Sequence, residues 1–178
     1  MNSEALARLV EVQQWLYREA RLLDARRYDQ WLGLMDDEVR YRVPSRSYVQ
    51  QGNSQDFATW AVDRELDGAE ALPLINDDLS GLRSRVARLQ SGMAWAETPP
   101  SMTRRLVSNV EILDVDAEGR LAVVSTLFLA KNRNDERVLF TAQRRDRFVR
   151  RNGELRLLER YVILDDAVLT SGNLSVPF

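Results

Sequence analysis

This sequence predicts an α+β fold, with a curved antiparallel sheet wrapped around N-terminal helices, and three observations carry the prediction. The N-terminal segment repeats apolar residues every three or four positions, whereas from about residue 103 the period is two. The two regimes follow one another instead of alternating, which is the order of an α+β layout. The late strands are long and their turns short, so they form a meander. The natural packing curls that meander around the helices into a cone.

The elements follow in chain order. Residues 3–24, SEALARLVEVQQWLYREARLLD, place Leu9, Val12, Leu16, Ala20 and Leu23 on one stripe, widened by Trp15 and Leu22. Ser3 is the expected N-cap. A short second helix, DARRYDQWLGLM, turns Tyr28, Trp31, Leu32 and Met35 inward and is weakened by Gly33. Asp36–Asp37–Glu38 is expected to break the pattern. In VRYRVP, Val39, Tyr41 and Val43 alternate with Arg40 and Arg42, a half-buried strand that Pro44 ends. Residues 45–72 keep no clean period and read as a long excursion. ALPLIND reads as a short strand.

LSGLRSRVARLQSG, 79–92, predicts a helix that buries Leu79, Leu82, Val86 and Leu89. Asp77 or Asp78 caps its start and Gly92 its end. MAWAETPPS, 93–101, is a connection stiffened by Pro99–Pro100. Strands are expected at about 103–114, 120–132, 137–151 and 154–168. Asp116–Gly119, Asn132–Glu136 and Asn152–Gly153 supply the turns, the last being the Asn-Gly pair that tight hairpins favour. In TRRLVSNVEI, 103–112, alternation puts Leu106, Ser108, Val110 and Ile112 on one side and Val107, Asn109 and Glu111 on the other. The tail, LTSGNLSVPF, is apolar at Leu174, Val176 and Phe178 and is expected to dock on something. No repeat or second domain is evident. The expectation is one domain over 1–178, with helices at about 3–35 and 79–91, a sheet at about 39–43 and 103–168, and a tail at 169–178.

Composition narrows the chemistry. There is no Cys and no His, which removes thiolate nucleophiles, disulfides and Ser–His or Cys–His pairs. Zinc, haem and iron–sulfur sites depend on those residues, and so does a two-His-one-carboxylate iron site. No Asp/Glu spacing resembles a calcium loop. Only oxygen-ligand metals remain, so this chain alone is expected to do no redox metal chemistry. The net charge of −2 gives no support to nucleic-acid binding. No apolar stretch approaches the roughly 18–20 residues of a membrane helix. The N-terminus lacks the features of a signal peptide, so the expected location is the cytoplasm. Of the 25 basic residues only Lys131 is lysine, and arginine's planar fork suits ion pairs at interfaces.

Three segments resemble a known family. YREARLLDARRYDQWLGLMDDEVRYRVP, SRVARLQSGMAWAETPPSMTRRLVSNV and RYVILDDAVLTSGNLSVPF are similar to the small (β) subunit of aromatic-ring-hydroxylating dioxygenases. The central block is the most specific, and residues 46–72 and 120–132 match least. The resemblance implies a cystatin-like cone, shared with nuclear transport factors, scytalone dehydratase and ketosteroid isomerase. It implies a large (α) subunit partner carrying a Rieske [2Fe-2S] centre and a mononuclear iron, and a small subunit with no catalytic, cofactor-binding or metal residues of its own. It also implies a homotrimer within a hexamer of three large and three small subunits. Electrons would come from a reductase, with or without a ferredoxin, for cis-dihydroxylation in aromatic hydrocarbon catabolism.

The prominent residues have possible roles other than assembly. Some enzymes of the cone superfamily have a pattern like R-H-x-x-(S/T)-N, and Arg105 stands where that His would be. Arginine stays protonated and is a poor base, so Arg104 and Arg105 are expected to pair with carboxylates at a sheet edge, at a subunit boundary or internally. Asp36, Asp37, Asp63, Asp165 and Asp166 are the catalytic alternatives, and alternation points one of the last two inward. Trp15, Trp31, Trp60 and Trp95 are core or interface residues, with Trp95 favoured as interface. QRRDRFVRR reads as a charged outer strand suited to an acidic partner patch. The candidate interface set is Trp95, Arg104, Arg105, Arg144, Arg145, Arg147 and Phe178. The alternatives are a stand-alone cone-fold dehydratase, isomerase or hydrolase using Asp and Arg, or a small-molecule binding module. They require an open cone with an inward carboxylate of perturbed pKa.

Overall fold

Helical spacing at the N-terminus produces α1, Ser3–Asp24, which buries Val12, Trp15, Leu16, Ala20, Leu22 and Leu23. The structure is a computed structural model that describes residues 2–46, 66, 72–91, 99–166 and 177–178. Asn2, not Ser3, caps α1, its side chain accepting from the Ala5 N–H at 2.8 Å. The second helix, α2, covers only Tyr28–Leu32. Strand β1, Met35–Val43, then runs through Asp36–Asp37–Glu38 without the expected break. The reason is that Asp36 is occupied: Arg151 donates to it at 2.7 Å and the Glu38 N–H at 3.1 Å. The segment costs only a register shift between Met35 and Arg40. Val39, Tyr41 and Val43 are buried, as alternation requires.

After β2, Ile75–Asp77, comes α3, Leu79–Gln90, which buries Leu82 and Val86 and keeps Leu79 and Leu89 half-buried. Asp78 is its cap, accepting from Gly81 N–H at 2.8 Å. Trp60, Asp63, Gly92 and Trp95, for which the sequence raises expectations, lie outside the described residues. The meander then follows: β3 Met102–Val115, β4 Leu121–Arg133, β5 Glu136–Arg151 and β6 Glu154–Leu164. The β5–β6 turn has φ of 50° at Asn152 and 84° at Gly153, the two left-handed residues of a type I′ hairpin.

The six strands lie in the order β2-β1-β6-β5-β4-β3. Every neighbouring pair is antiparallel except β1 and β6, which are parallel, with Tyr41 opposite Arg160. The meander is antiparallel as expected, and the parallel β1–β6 contact is the one departure from an antiparallel sheet among the described strands. Strand β1, entered from the helices, closes onto the side of the last meander strand. The sheet curves, and α1 sits in its concavity, where the Trp15 indole donates to the Leu155 carbonyl at 3.1 Å.

Strand β3 does not keep one face inward. Thr103, Arg105 and Val107 face the core side, but beyond Asn109 it is Val110 and Ile112 that do. Asn109 has φ of 51° and the β3–β4 register shifts between Ser108 and Glu111, so a bulge reverses the alternation. The expected grouping of Leu106 with Val110 and Ile112 is therefore wrong, and Leu106 is 60% exposed. Asn tolerates the left-handed conformation and a β-branched residue does not. Asn109→Val should cost about 1–2 kcal/mol, read as a drop in melting temperature with an unchanged circular dichroism spectrum.

Candidate functional site

Three elements bring charged side chains into the cone. On α1, Glu19 falls on the apolar stripe, three residues after Leu16 and four before Leu23. On β5 the inward row runs Phe140, Ala142, Arg144, Asp146, Phe148. On β6, Arg160 faces inward beside it. Arg160 grips Asp146 through two parallel hydrogen bonds of 2.8 Å and donates to Glu19 at 2.6 Å. Arg144 reaches the second Glu19 oxygen at 3.3 Å and also donates to the Ser125 hydroxyl. The Trp31 indole donates to Glu19 at 3.1 Å. All four charged groups are almost completely buried.

A second cluster adjoins the first. Arg105 on β3 pairs with Asp24 at the end of α1 at 2.5 Å. The Asp24 carboxylate also accepts from Thr103 Oγ1 and from the Arg105 backbone N–H, both at 3.0 Å. Arg105 donates to the Pro177 carbonyl at 2.6 Å. Tyr41 donates to the Phe178 carbonyl and accepts from the Phe178 N–H at 2.9 Å. The Phe178 ring meets Phe140 edge-on at 5.4 Å. Arg105, Arg144 and Arg160 are thus balanced by Asp24, Glu19 and Asp146.

The electrostatics favour ions that stay ions. Burial would raise the Glu19 carboxyl, but the charges of Arg160 and Arg144, with hydrogen bonds from Arg160 and Trp31, hold it below its ordinary value. Burial lowers Arg160, and the charges of Asp146 and Glu19 overcome this and raise it. Burial raises the Tyr41 phenol. A general base must reach a substrate proton. Glu19 has both oxygens engaged and is 1% exposed, so it holds elements together. Its folded pKa is depressed, so its stabilisation is complete above the ordinary value of 4.5 and is lost as pH falls through the lower folded value. Tyr41 is raised, so its share is present below 10.0 and lost above it. Melting temperature against pH should hold between these limits and fall outside them, and Glu19→Gln should flatten the acid limb.

The proposed site residues separate into two groups. Arg105, Arg144 and Phe178 are interior, and Arg105 realises the internal ion pair among its readings. Arg104, Arg145 and Arg147 are exposed on the outer face, opposite Ala130, Val124 and Ala122 of β4. The reading of 143–151 as an outer strand is corrected, since its Arg144 and Asp146 point inward. Among the carboxylates, Asp36 is paired with Arg151 and Asp37 is exposed. Neither Asp165 nor Asp166 points inward, because β6 ends at Leu164 and both are exposed.

Sequence reasoning missed Glu19, Asp24, Asp146 and Arg160. Their signal was charge at positions where the period demands apolar residues. The outer face carries a second feature. Leu106, opposite Phe128, and Leu139, opposite Ala130, are 60% and 49% exposed, and Arg104, Arg145 and Arg147 share that face. Among the described residues no cluster of carboxylates is arranged to hold a metal.

A family model described as ring hydroxylating beta subunit matches residues 18–171. The chain is similar to the solved structure of naphthalene 1,2-dioxygenase with indole bound in its active site. That likeness has a TM-score of 0.79 and 26% identity over 99% of this chain and 86% of that one. It is also similar to the beta subunit of benzoate 1,2-dioxygenase from Burkholderia mallei, with TM-score 0.67 and 22% identity over 88% and 89% of the two chains. A scytalone dehydratase candidate from Novosphingobium aromaticivorans shares the fold alone, at TM-score 0.64 and 11% identity over 93% and 89%.

Proposed function

The chain belongs to the ring-hydroxylating dioxygenase beta-subunit family, and on that premise we propose that it assembles as a homotrimer with three large subunits, which carry the Rieske cluster and the mononuclear iron. It is the non-catalytic small subunit of the terminal oxygenase. A Rieske cluster requires two Cys and two His, and this chain has neither residue, so its own donors do not fit either group. The complex would serve aromatic catabolism in the cytoplasm, reduced by a reductase with or without a ferredoxin.

The observation that carries this reading is the filled cone. A cone-fold enzyme needs an accessible cavity with a usable base. Here Trp31, Tyr41, Phe148, Phe178, Arg144 and Arg160 occupy the interior, each under 2% exposed. The inward carboxylates Glu19 and Asp146 are each paired with arginine. The stand-alone enzyme is therefore not favoured.

The outer face fits the assembly role. Exposed Leu106 and Leu139 beside Arg104, Arg145 and Arg147 suit a partner surface that is apolar at its centre and acidic at its rim. A stable contact should bury upward of about 1,000 Å². Trp95 stays in the proposed interface set. Leu106→Asp, introduced on co-expression with the large subunit, should abolish the six-chain complex while leaving the melting temperature of the isolated chain nearly unchanged. A complex of normal mass and yield would remove this face from the proposal.

A further inference from the structure

Pro177 and Phe178 sit in the cone as a ligand sits in a site. Phe178 belongs to no strand or helix, is fully buried, and has both backbone polar groups satisfied by one side chain, the Tyr41 hydroxyl. Its carbonyl takes a further bond from Arg160 at 3.2 Å, and the Pro177 carbonyl takes one from Arg105 at 2.6 Å. The ring stands at 87° to Phe140. Four strands therefore converge on two residues, with donors for the carbonyls and an apolar wall for the ring.

The receptor does not depend on its occupant. Arg105 is fixed by Asp24 and Thr103. Arg160 is fixed by Asp146 and Glu19 and lies 5.9 Å from the Tyr41 ring centre. Trp31 packs edge-on against Tyr41 at 6.5 Å. A site whose groups are already held loses little freedom on binding. The donors exceed what the tail uses, since Nη2 of Arg144 and Nε of Arg105 are buried without a hydrogen-bond partner.

We propose that the cone is a binding site for a phenylalanyl-type ligand, an aromatic ring beside one or two carbonyl oxygens, and that the chain's own Pro177–Phe178 is its resident occupant. The cone is closed by self-ligation. Without those two residues it takes the same chemistry from solution.

The test removes Pro177 and Phe178 and follows thermal unfolding and tryptophan fluorescence with N-acetyl-Pro-Phe, as amide and as free acid. The shortened chain should melt lower and recover saturably, at one probe per chain, with either form. Better binding of the acid would identify a carboxylate site, and equal binding a carbonyl site. N-acetyl-Pro-Ala amide should bind at least about tenfold more weakly, because it lacks the ring. The full chain should respond to none of them. A shortened chain that folds and ignores both Phe probes overturns the proposal, and so does equal binding of the Ala probe. If the shortened chain does not fold, Phe178→Ala in the full chain is examined with benzene. A saturable rise in melting temperature supports the site, and none overturns it.

Discussion

Arg160→Ala is expected to lower the melting temperature by about 6–20 °C, the equivalent of about 3–5 kcal/mol. Among the described residues, Arg160 alone bonds to both Glu19 and Asp146 inside the cone. Without it Asp146 is left buried with no ion-pair partner among the described residues, and Glu19 keeps Arg144 and Trp31. The penalty comes from stranding charge. Replacing Arg160 by Met together with Asp146 by Leu removes one of each sign and keeps the Glu19–Arg144 pair. That double variant should regain much of the loss. Thermal melts of the two variants beside the wild type give the comparison. A double variant no more stable than the single one would mean that the bidentate pair is not what Arg160 supplies.

Arg105→Ala should be nearly as costly, about 3–5 kcal/mol, because it strands Asp24 beneath β3 and releases the Pro177 carbonyl. It should not change the chemistry. In an assembled complex, product formed per mononuclear iron should equal the wild-type value even where the yield of complex falls. Arg105→Lys keeps a charge near Asp24 but cannot span Asp24, Thr103 and Pro177 with one planar fork. Its stability should fall between the two. Loss of turnover at unchanged assembly and iron content would place Arg105 in the reaction and contradict a structural role.

Local signals carried most of the elements and few of the partnerships. Helices α1 and α3 and the four meander strands were legible because their apolar periods are long and unmixed. The Asn152–Gly153 hairpin was legible because only left-handed residues close it. The first residues of β1 are not legible, because Asp36–Asp37–Glu38 looks like a breaker until Arg151, far along the chain, is seen to hold Asp36. The β3 face was misread because one left-handed Asn reverses alternation. The parallel β1–β6 pairing leaves no trace in local sequence. The site followed the same rule. Glu19, Arg144, Asp146 and Arg160 each look like an exception to a pattern when read alone. They become a charge-balanced network only when three elements meet. The absence of Cys and His, by contrast, needed no fold to be informative.

This chain is expected to act by assembly. The most direct measurement is size-exclusion chromatography with mass detection, on the chain alone and co-expressed with its large subunit. Three copies are expected alone and a six-chain complex with the partner, all of the iron belonging to the large subunit. A monomer or dimer that takes up no large subunit would contradict it.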